Sequence, residues 1–417
     1  MEKTVGQCEV SGTVEPPCSK SYAQRAMAAS LLCEGESTLR NIEFCDDTRY
    51  ALEVIRDLGA EAIQIDEHTL SVRGGLNPHK DIVNTGESGL AARLFTPIAA
   101  LSDRRITITG EGTMLRRPIG MMIGPLTELG VKTESGGYLP ITVQGPLRGG
   151  EATVEGFVSS QFTTGLLMSL PLAVEDTILH VERVYSIPYL SMTVDMAHRF
   201  GIRIEHNDHA EYFIEGGQKY KPADVSIEGD WGAAAFMLVA GAIAGEVTVA
   251  NMNPVSLQAD VGIIEALSRA GASVTTTRKD ITVRRHKLES FEFDATHSPD
   301  LFPILSVLAA NCEGRSVIKG VKRLTHKESD RAKAILEEFG KIGMDVMIEE
   351  EDYMVIKGRR LKGGTIDSRN DHRIAMAGAV AGLAASSPAT VRNAEAVNKS
   401  YPRFWDDLTS ICRQRIT

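Results

Sequence analysis

The chain alternates short strand patterns with helical patterns, and this order repeats six times. The strand patterns alternate apolar and polar residues, as half-buried strands do. They lie at 38–42, 106–109, 177–181, 246–249, 316–319 and 389–392. The first five are each followed by an amphipathic helical pattern that ends in a glycine, the residue typical of a helix C-terminus. These glycines are Gly59, Gly130, Gly201, Gly271 and Gly343. The repeat has a period of about 70 residues.

A second helical pattern, rich in small and apolar residues, precedes each strand pattern. These segments are Gln24–Cys33, Leu90–Leu101, Phe162–Ala173, Gly232–Ala244, Leu301–Ala310 and Ile374–Ala385. Helices that are apolar on all sides are buried. The sequence therefore predicts an α/β (α+β) fold of six βαβαββ repeats with buried parallel helices, three repeats in each of two domains. We expect residues 19–228 to form one domain, and residues 1–18 and 229–417 to form a discontinuous second domain.

Composition narrows the class of protein. The chain has 417 residues with a formal net charge of −10, and its 43% hydrophobic and 24% charged fractions are typical of globular proteins. Acidity disfavours a nucleic-acid or membrane-surface protein, since those usually carry a basic face. The six cysteines form no CxxC pair and no metal-ligand spacing with histidine. They indicate reduced thiols, and we expect a cytoplasmic protein.

Unusual polar residues gather at the starts of the small-residue helices. They are Ser19-Lys20-Ser21 with Arg25, Gly86-Glu87-Ser88-Gly89 with Arg93, Ser159-Ser160-Gln161, Pro299-Asp300 and Asn370-Asp371-His372-Arg373. Neighbouring loops add Arg116-Arg117-Pro118, Ser186 with Tyr189, Lys327-Glu328 with Asp330-Arg331, and Lys399. Taken singly, each has an ordinary interpretation as a helix cap or a solvated charge run. Their occurrence at equivalent positions of the repeats favours an anion-binding site made from helix N-termini.

These segments resemble the enolpyruvyl transferases, most closely those that act on shikimate 3-phosphate. The most specific matches are Ser19-Lys-Ser with Arg25, Arg117-Pro-Ile-Gly120, Val158-Ser-Ser-Gln-Phe162, Ser186-Ile-Pro-Tyr189, Lys327-Glu-Ser-Asp-Arg331 and Asn370-Asp-His-Arg373. The resemblance implies transfer of the enolpyruvyl group of phosphoenolpyruvate to the 5-hydroxyl of shikimate 3-phosphate, with loss of phosphate from a tetrahedral intermediate. It further implies a monomer of the shikimate pathway with its active site in a cleft between the domains, and neither a metal nor an organic cofactor.

The resemblance also assigns residues to each substrate and to catalysis. Shikimate 3-phosphate would be held by Lys20, Ser21, Arg25, Ser159, Ser160, Gln161, Ser186, Asp300 and Lys327. Phosphoenolpyruvate would be surrounded by Lys20, Gly89, Arg117, Gln161, Arg331, Arg373 and Lys399. Asp300 would act as the base for the 5-hydroxyl and Glu328 as the acid for the methylene carbon, while Lys20, His372 and Lys399 would share proton traffic.

Two positions depart from the family pattern. The segment at Glu87, Ser88, Gly89 and Leu90 stands where the family commonly has Asn, then Ala or Ser, Gly and Thr. A carboxylate at Glu87 would oppose an anionic substrate unless it pairs with a neighbour such as Arg93. Arg323 stands where some members have Asn reaching the substrate phosphate.

Three alternatives remain open. An enolpyruvyl transferase acting on UDP-N-acetylglucosamine shares the fold, although many carry a reactive Cys in the loop that here reads Glu111 to Arg117. An RNA terminal-phosphate cyclase shares part of the repeat architecture and would need a basic RNA path. A non-catalytic binding protein would keep the anion site without needing Asp300 or Glu328.

Overall fold

The computed structural model describes residues 1–157, 159–325 and 327–413. Val158 of the motif quoted above lies outside the described residues, as do His326 and the last four positions of the expected second domain. The chain divides into two compact units. The continuous unit is Cys18–Ile227, and the discontinuous unit joins Met1–Pro17 to the segment from Glu228 onwards. These boundaries lie one residue from those expected from the sequence.

Twelve α-helices are found in the described part of the chain, and short 3₁₀ turns extend several of them. The helices are α1 (Lys20–Leu31), α2 (Asp46–Asp57), α3 (Gly89–Ala99), α4 (Ile123–Glu128), α5 (Ser160–Ser169), α6 (Ile187–Arg199), α7 (Trp231–Ala244), α8 (Ile263–Arg269), α9 (Phe302–Ala310), α10 (Arg331–Ala334), α11 (His372–Gly382) and α12 (Phe404–Ile411). A π-helical turn, Ile335–Phe339, continues α10, and a 3₁₀ turn, Pro299–Leu301, leads into α9.

The strands of the continuous unit form three four-stranded sheets. They are β3 (Glu36–Arg40), β4 (Glu61–Asp66), β5 (Thr69–Arg73), β6 (Ile82–Asn84), β7 (Arg105–Thr109), β8 (Lys132–Glu134), β9 (Ile141–Gln144), β10 (Gly150–Glu155), β11 (Thr177–Glu182), β12 (Glu205–Asn207), β13 (Glu211–Ile214) and β14 (Asp224–Ser226). The sheet orders are β14-β3-β5-β4, β6-β7-β9-β8 and β10-β11-β13-β12. In each sheet the first pair is parallel and the other two pairs are antiparallel, as a βαβαββ repeat requires.

The discontinuous unit repeats this arrangement in two four-stranded sheets and one three-stranded sheet. Its strands are β1 (Glu2–Val5), β2 (Val10–Val14), β15 (Gly245–Val249), β16 (Ser273–Thr276), β17 (Ile281–Arg284), β18 (Glu292–Asp294), β19 (Arg315–Lys319), β20 (Asp345–Glu349), β21 (Tyr353–Lys357), β22 (Gly364–Asp367) and β23 (Ala389–Arg392). The sheet orders are β16-β17-β15-β2, β18-β19-β21-β20 and β1-β23-β22. The six predicted repeats are therefore present.

In two repeats, the first strand of the sheet comes from a distant part of the chain. Strand β2 pairs in parallel with β15, and β14 pairs in parallel with β3. Strand β1 pairs antiparallel with β23, close to the end of the described chain. Because the two N-terminal strands complete sheets made by the second half of the sequence, the chain enters the continuous unit only after Pro17 and leaves it after Ile227.

The small-residue helices are the most buried elements of both units. Every residue of α3, α7, α9 and α11 is buried, including Arg93 of α3 and Arg373 of α11. By contrast, the amphipathic helix α2 buries Ala51, Leu52, Val54 and Ile55 and exposes its other face. Each unit has its own core of apolar residues around its buried helices.

Five of the six buried helices, all except α9, begin earlier than their apolar pattern indicated, because side chains cap them upstream. Ser19, Ser88 and Ser159 accept hydrogen bonds at the N-termini of α1, α3 and α5. Asp230 and Asp371 do the same for α7 and α11. The polar residues that the sequence placed before the helices therefore occupy their first turns, where unpaired N–H groups and the positive end of the helix dipole lie.

Candidate active site

Lys20 opens helix α1 and forms an ion pair with the next helix. Its Nζ lies 2.7 Å from Asp47 Oδ2, and both side chains are largely buried, at 15% and 13% exposure. Asp47 belongs to the first turn of α2, where a carboxylate is stabilised by the helix dipole. The ammonium group is thereby held near the N-termini of two helices, and an anionic substrate that contacts it would compete with Asp47.

Arg25 ties three helices together. Its Nε donates to Thr193 Oγ1 at 2.9 Å, and its Nη2 donates to Thr164 Oγ1 and to the carbonyl of Tyr189. Its Nη1 donates to the carbonyl of Ser21 at 2.8 Å. Burial lowers the pKa of Arg25 to about 10, which still leaves the guanidinium charged at neutral pH. Arg25 therefore anchors α1, α5 and α6 whatever its part in substrate binding.

Arg93 connects three segments of the continuous unit. The sequence analysis had named it at the start of α3 and as a partner for Glu87. Its Nη1 donates to Gln161 Oε1 at 2.7 Å and its Nη2 donates to the carbonyl of Pro118 at 2.9 Å. Helices α3 and α5 and the Arg117-Pro118 loop are thus linked by one guanidinium. Gln161, predicted to touch both substrates, has its amide oxygen fixed by this contact.

Glu87 is directed at the loop that follows β7. Its Oε2 accepts hydrogen bonds from the backbone N–H of Thr113 at 2.9 Å and from the Thr113 hydroxyl at 2.8 Å. A Cβ on Gly112 would lie 2.5 Å from the Glu87 carboxyl carbon, and Gly112 has a φ of +48°, so glycine suits this position for two reasons. The carboxylate thus helps to shape the loop that carries Arg117.

Gly89 lies directly beneath the guanidinium of Arg117. A Cβ at Gly89 would be 2.5 Å from Arg117 Nη1 and 2.7 Å from Arg117 Cζ, closer than any real contact. Glycine at the first position of α3 therefore allows a planar guanidinium to approach the helix N-terminus. Two sources of positive charge, the arginine and the helix dipole, meet at this point.

The serines predicted to hold shikimate 3-phosphate also lie at helix starts. Ser160 and Gln161 occupy the first turn of α5, and Ser159 caps it. Ser186, only 4% exposed, precedes α6 with a left-handed backbone, φ +55° and ψ +39°. A non-glycine residue in this region carries strain of about 1 kcal/mol or more, which is common at functional sites.

Arg331 lies at the centre of the second group of predicted residues, in the discontinuous unit. Its Nη1 donates to Asp300 Oδ1 at 2.6 Å and its Nη2 donates to Glu328 Oε2 at 2.7 Å. Its Nε donates to Asp371 Oδ2 at 2.9 Å. Burial lowers the pKa of Arg331, but the charges of the three carboxylates outweigh it and raise the pKa well above its usual value.

Asp300 contacts three cations of this group. Besides Arg331, it contacts Lys327 Nζ at 3.2 Å and Arg373 Nη2 at 3.1 Å. Burial alone would raise the pKa of Asp300, but the charges of Arg373, Lys327 and Arg331 hold it well below its usual range. In this state Asp300 is an ionised carboxylate and a weak base.

Lys399 and His372 complete this group. Lys399 Nζ donates to the carbonyl of Asn370 at 2.8 Å, and the lysine side chain is buried. His372 is the first residue of α11 and is 1% exposed. Seven predicted residues are therefore close together in the discontinuous unit, namely Asp300, Lys327, Glu328, Arg331, His372, Arg373 and Lys399.

Asp260 is a member of this cluster that sequence reasoning missed. Its Oδ2 lies 3.7 Å from Arg373 Nη2, and its side chain is 6% exposed. Burial raises the pKa of Asp260 to about 7, since the attraction of Arg373 is opposed by the charges of Asp300 and Asp230. Asp260 lies in a short 3₁₀ turn, Ala259–Gly262, that leads into α8 and belongs to no recognised motif, so only its proximity to Arg373 identifies it.

The cluster is less positive than the sequence led us to expect. Its cations are Lys327, Arg331, Arg373 and Lys399, and its carboxylates are Asp230, Asp260, Asp300, Glu328 and Asp371. We expected lysines, arginines and helix N-termini to concentrate positive potential at the site, with Asp300 and Glu328 as its acid and base. The carboxylates come from five different segments, so the balance of charge appears only when the chain is folded.

The described residues contain neither a group of possible metal ligands nor a helix that could span a membrane. Within residues 1–157, 159–325 and 327–413, no three His, Cys, Asp or Glu side chains are grouped so that they could hold a metal ion. Of the helices in the same ranges, none has the length and apolar character needed to cross a membrane.

The fold is that of the enolpyruvyl transferases. An EPSP synthase structure from Acinetobacter baumannii matches with a TM-score of 0.83 at 24% identity, covering 100% of this chain and 99% of that one. The enolpyruvyl transferase NikO from Streptomyces tendae matches with a TM-score of 0.79 at 17% identity, covering 100% of this chain and 98% of its own.

The sequence narrows this class to one family. Residues 5–408 match the family EPSP synthase (3-phosphoshikimate 1-carboxyvinyltransferase). Relatives of that name from Clostridium novyi and Thermococcus kodakarensis are each 38% identical, over 97% and 96% of this chain and 95% and 97% of their own lengths. The chain belongs to the EPSP synthase family. It is a transferase of the shikimate pathway that acts on two small anions, phosphoenolpyruvate and shikimate 3-phosphate.

Proposed function

We propose that the residues described above bind phosphoenolpyruvate and shikimate 3-phosphate, and that enolpyruvyl transfer proceeds by addition and elimination through a tetrahedral intermediate. The residues that we assign to shikimate 3-phosphate are Lys20, Ser21, Arg25, Ser159, Ser160, Gln161, Ser186, Asp300 and Lys327. Those that we assign to phosphoenolpyruvate are Lys20, Gly89, Arg117, Gln161, Arg331, Arg373 and Lys399. The observation that carries this proposal is the binding of Asp300 to three cations at once.

Substrate binding would change the charge around Asp300. The phosphate and carboxylate of phosphoenolpyruvate pair well with the planar forks of Arg331 and Arg373. Each anionic group that engages these arginines offsets the charge that lowers the pKa of Asp300. Its pKa then rises towards the range in which a carboxylate removes a hydroxyl proton efficiently.

The same exchange would release Glu328. In the structure its carboxylate is bound by Arg331 Nη2 at 2.7 Å. Once Arg331 engages the substrate, Glu328 loses this ion pair and can take up a proton and deliver it to the methylene carbon of phosphoenolpyruvate. Lys20, His372 and Lys399 would stabilise the charge that develops on the departing phosphate and share its protons.

We further propose that the enzyme works as a cytoplasmic monomer. All six cysteines are free thiols, five of them buried, which fits a reducing compartment. The most exposed large apolar side chains, Val174 and Val255, lie on separate units. Light scattering on purified protein at micromolar concentration tests the monomer: a mass near 45.2 kDa is expected, and a doubled mass contradicts it.

Phosphate release tests the mechanism most directly. Purified protein should release phosphate only when phosphoenolpyruvate and shikimate 3-phosphate are both present. Release that required UDP-N-acetylglucosamine, or no release at all, would overturn the assignment.

Asp300→Asn should still bind shikimate 3-phosphate but lose at least 100-fold in kcat, a typical cost of removing a general base. Asp294→Asn is the matched control, since Asp294 is exposed and pairs with Lys319.

A further inference from the structure

Two loops of the discontinuous unit carry a concentration of positive charge that the catalytic cluster does not use. The loop at the end of β17 reads Arg284-Arg285-His286-Lys287, and the loop at the end of β21 reads Lys357-Gly358-Arg359-Arg360. Six of these eight residues are Lys or Arg. In a chain with a net charge of −10, this is a local reversal of sign.

The two loops border one pocket of about 740 Å³. Its floor is apolar and is made by the C-terminal ends of α7, α9 and α11. Its charged lining comprises Arg285, Lys287, Arg359 and Arg360 against Glu9 and Glu313. The volume lies within the range of small-molecule sites, and cations outnumber carboxylates.

Capping of the helix ends does not explain these cations. The backbone N–H groups of Arg285 and Arg359 donate to the carbonyls of Gly245 and Ala310, at the ends of α7 and α9. The same bonds are made in the other unit by uncharged residues, where Gly75, Leu147 and Gly217 donate to Leu31, Ala100 and Ala173. Because equivalent loops close equivalent helices without charge, the fold does not require arginine at these positions.

Ion pairs within the unit do not neutralise the pocket either. In the part of the chain that the structure describes, the Arg285 side chain makes no ion pair or hydrogen bond. Arg359 is 3.8 Å from Asp345, and Arg360 donates to the amide oxygen of Gln7 at 3.2 Å. Only Lys287 has a close carboxylate partner, Glu313 at 3.0 Å. Three guanidinium forks are therefore available to a ligand.

We propose that this pocket binds a small anion carrying two or more phosphate groups. Guanidinium forks bind phosphate oxygens in pairs, and three forks around one pocket suit more than one phosphate. The negative ends of three helices lie at the floor and oppose an anion, so the attraction must come from the guanidinium groups of the two loops. The site is separate from the catalytic cluster: α7, with Asp230 at its start and the pocket at its end, has 14 residues and is about 21 Å long.

Inorganic pyrophosphate is the probe, and isothermal titration at constant ionic strength is the measurement. The wild-type enzyme should bind pyrophosphate, and Arg285→Ala/Arg359→Ala should weaken binding at least tenfold. The control Arg315→Ala/Arg392→Ala removes the same charge from exposed arginines that pair with Glu349 and Glu2, and should change the affinity less than twofold. Phosphate release without pyrophosphate should be the same in all three proteins, which also shows that each is folded.

Two results would overturn the proposal. One is an absence of pyrophosphate binding to the wild-type enzyme. The other is equal binding by the wild type and the Arg285→Ala/Arg359→Ala variant, which would place the bound anion elsewhere, for example in the catalytic cluster. Because the readout is binding rather than turnover, neither result depends on the substrate assignments made above.

Discussion

The guanidinium of Arg369 holds the buried carboxylate of Glu338 by two hydrogen bonds. Nη2 and Nε of Arg369 donate to Glu338 Oε1 at 2.8 and 3.2 Å, and Glu338 is 3% exposed. Glu338 belongs to the π-helical turn after α10, a feature often found near functional sites. The contact bears on the proposed site because Arg369 and Asn370 both have left-handed backbones, with φ of +54° and +59°. The Asn370 carbonyl then accepts the hydrogen bond from Lys399.

Arg369→Ala should weaken the hydrogen bond of Lys399 indirectly, through the backbone of Asn370. Loss of the guanidinium leaves Glu338 with Lys341 and one backbone N–H, which should cost about 1–3 kcal/mol of unfolding free energy. The strained backbone should then relax and move the Asn370 carbonyl, lowering kcat on the order of tenfold. Urea unfolding and steady-state kinetics measure the two effects, and Arg369→Lys should restore part of each. Arg392→Ala is the exposed control. Reduced stability with unchanged kcat would limit Arg369 to a purely structural role.

Gly89→Ala should weaken phosphoenolpyruvate binding. The added Cβ would lie 2.5 Å from Arg117 Nη1, so the guanidinium must move away from the N-terminus of α3. We expect KM for phosphoenolpyruvate to rise about tenfold, equivalent to about 1.4 kcal/mol, with a smaller effect on shikimate 3-phosphate. Gly124→Ala is the matched control, since an added Cβ there would have no atom within 4 Å apart from its chain neighbours and the backbone of its own helix. An unchanged KM in Gly89→Ala would remove Arg117 from the phosphoenolpyruvate site.

Arg25→Lys should separate anchoring from substrate binding. A lysine keeps the charge but cannot reach Thr164, Thr193 and the carbonyl of Tyr189 together. We expect a loss of about 2–3 kcal/mol in unfolding free energy, since buried acceptors lose their donors. Arg40→Lys, at an exposed pair with Asp224, should change stability by at most about 1 kcal/mol. Weaker shikimate 3-phosphate binding with unchanged stability would show that Arg25 acts on the substrate alone.

The repeats were predictable because their signals are local. A strand period, a helix period and a glycine at each helix end fall within about 40 residues of one another. The pairing of β2 with β15 and of β14 with β3 was not predictable in the same way, because strands that are 235 and 186 residues apart leave no local pattern. The helix starts were misjudged by a few residues, since the serine and aspartate caps lie outside the apolar pattern that was used to place them.

The site was predictable only where its residues lie in family motifs. Arg331 and Arg373 were recognised, but their neutralisation by carboxylates was not, because those carboxylates come from separate loops. Asp260 shows most clearly which residues of the site the sequence could not predict. A buried carboxylate with a perturbed pKa is defined by its surroundings, and no feature of its own segment distinguishes it from a surface aspartate.

Asp260 should make the stability of the discontinuous unit depend on pH. Its pKa is raised from an ordinary value of 3.8 to about 7 by burial, so the folded chain holds a proton there that the unfolded chain has lost. A raised pKa stabilises the fold fully below about pH 4, and this contribution is lost as the pH rises towards 7. Asp260→Asn mimics the protonated form at every pH. The wild type should therefore lose stability relative to Asp260→Asn between pH 4 and pH 7, by at most about 1.4 kcal/mol per pH unit. Urea unfolding of both proteins across this range measures the difference. A constant difference would mean that Asp260 is ionised throughout, with Arg373 as its partner.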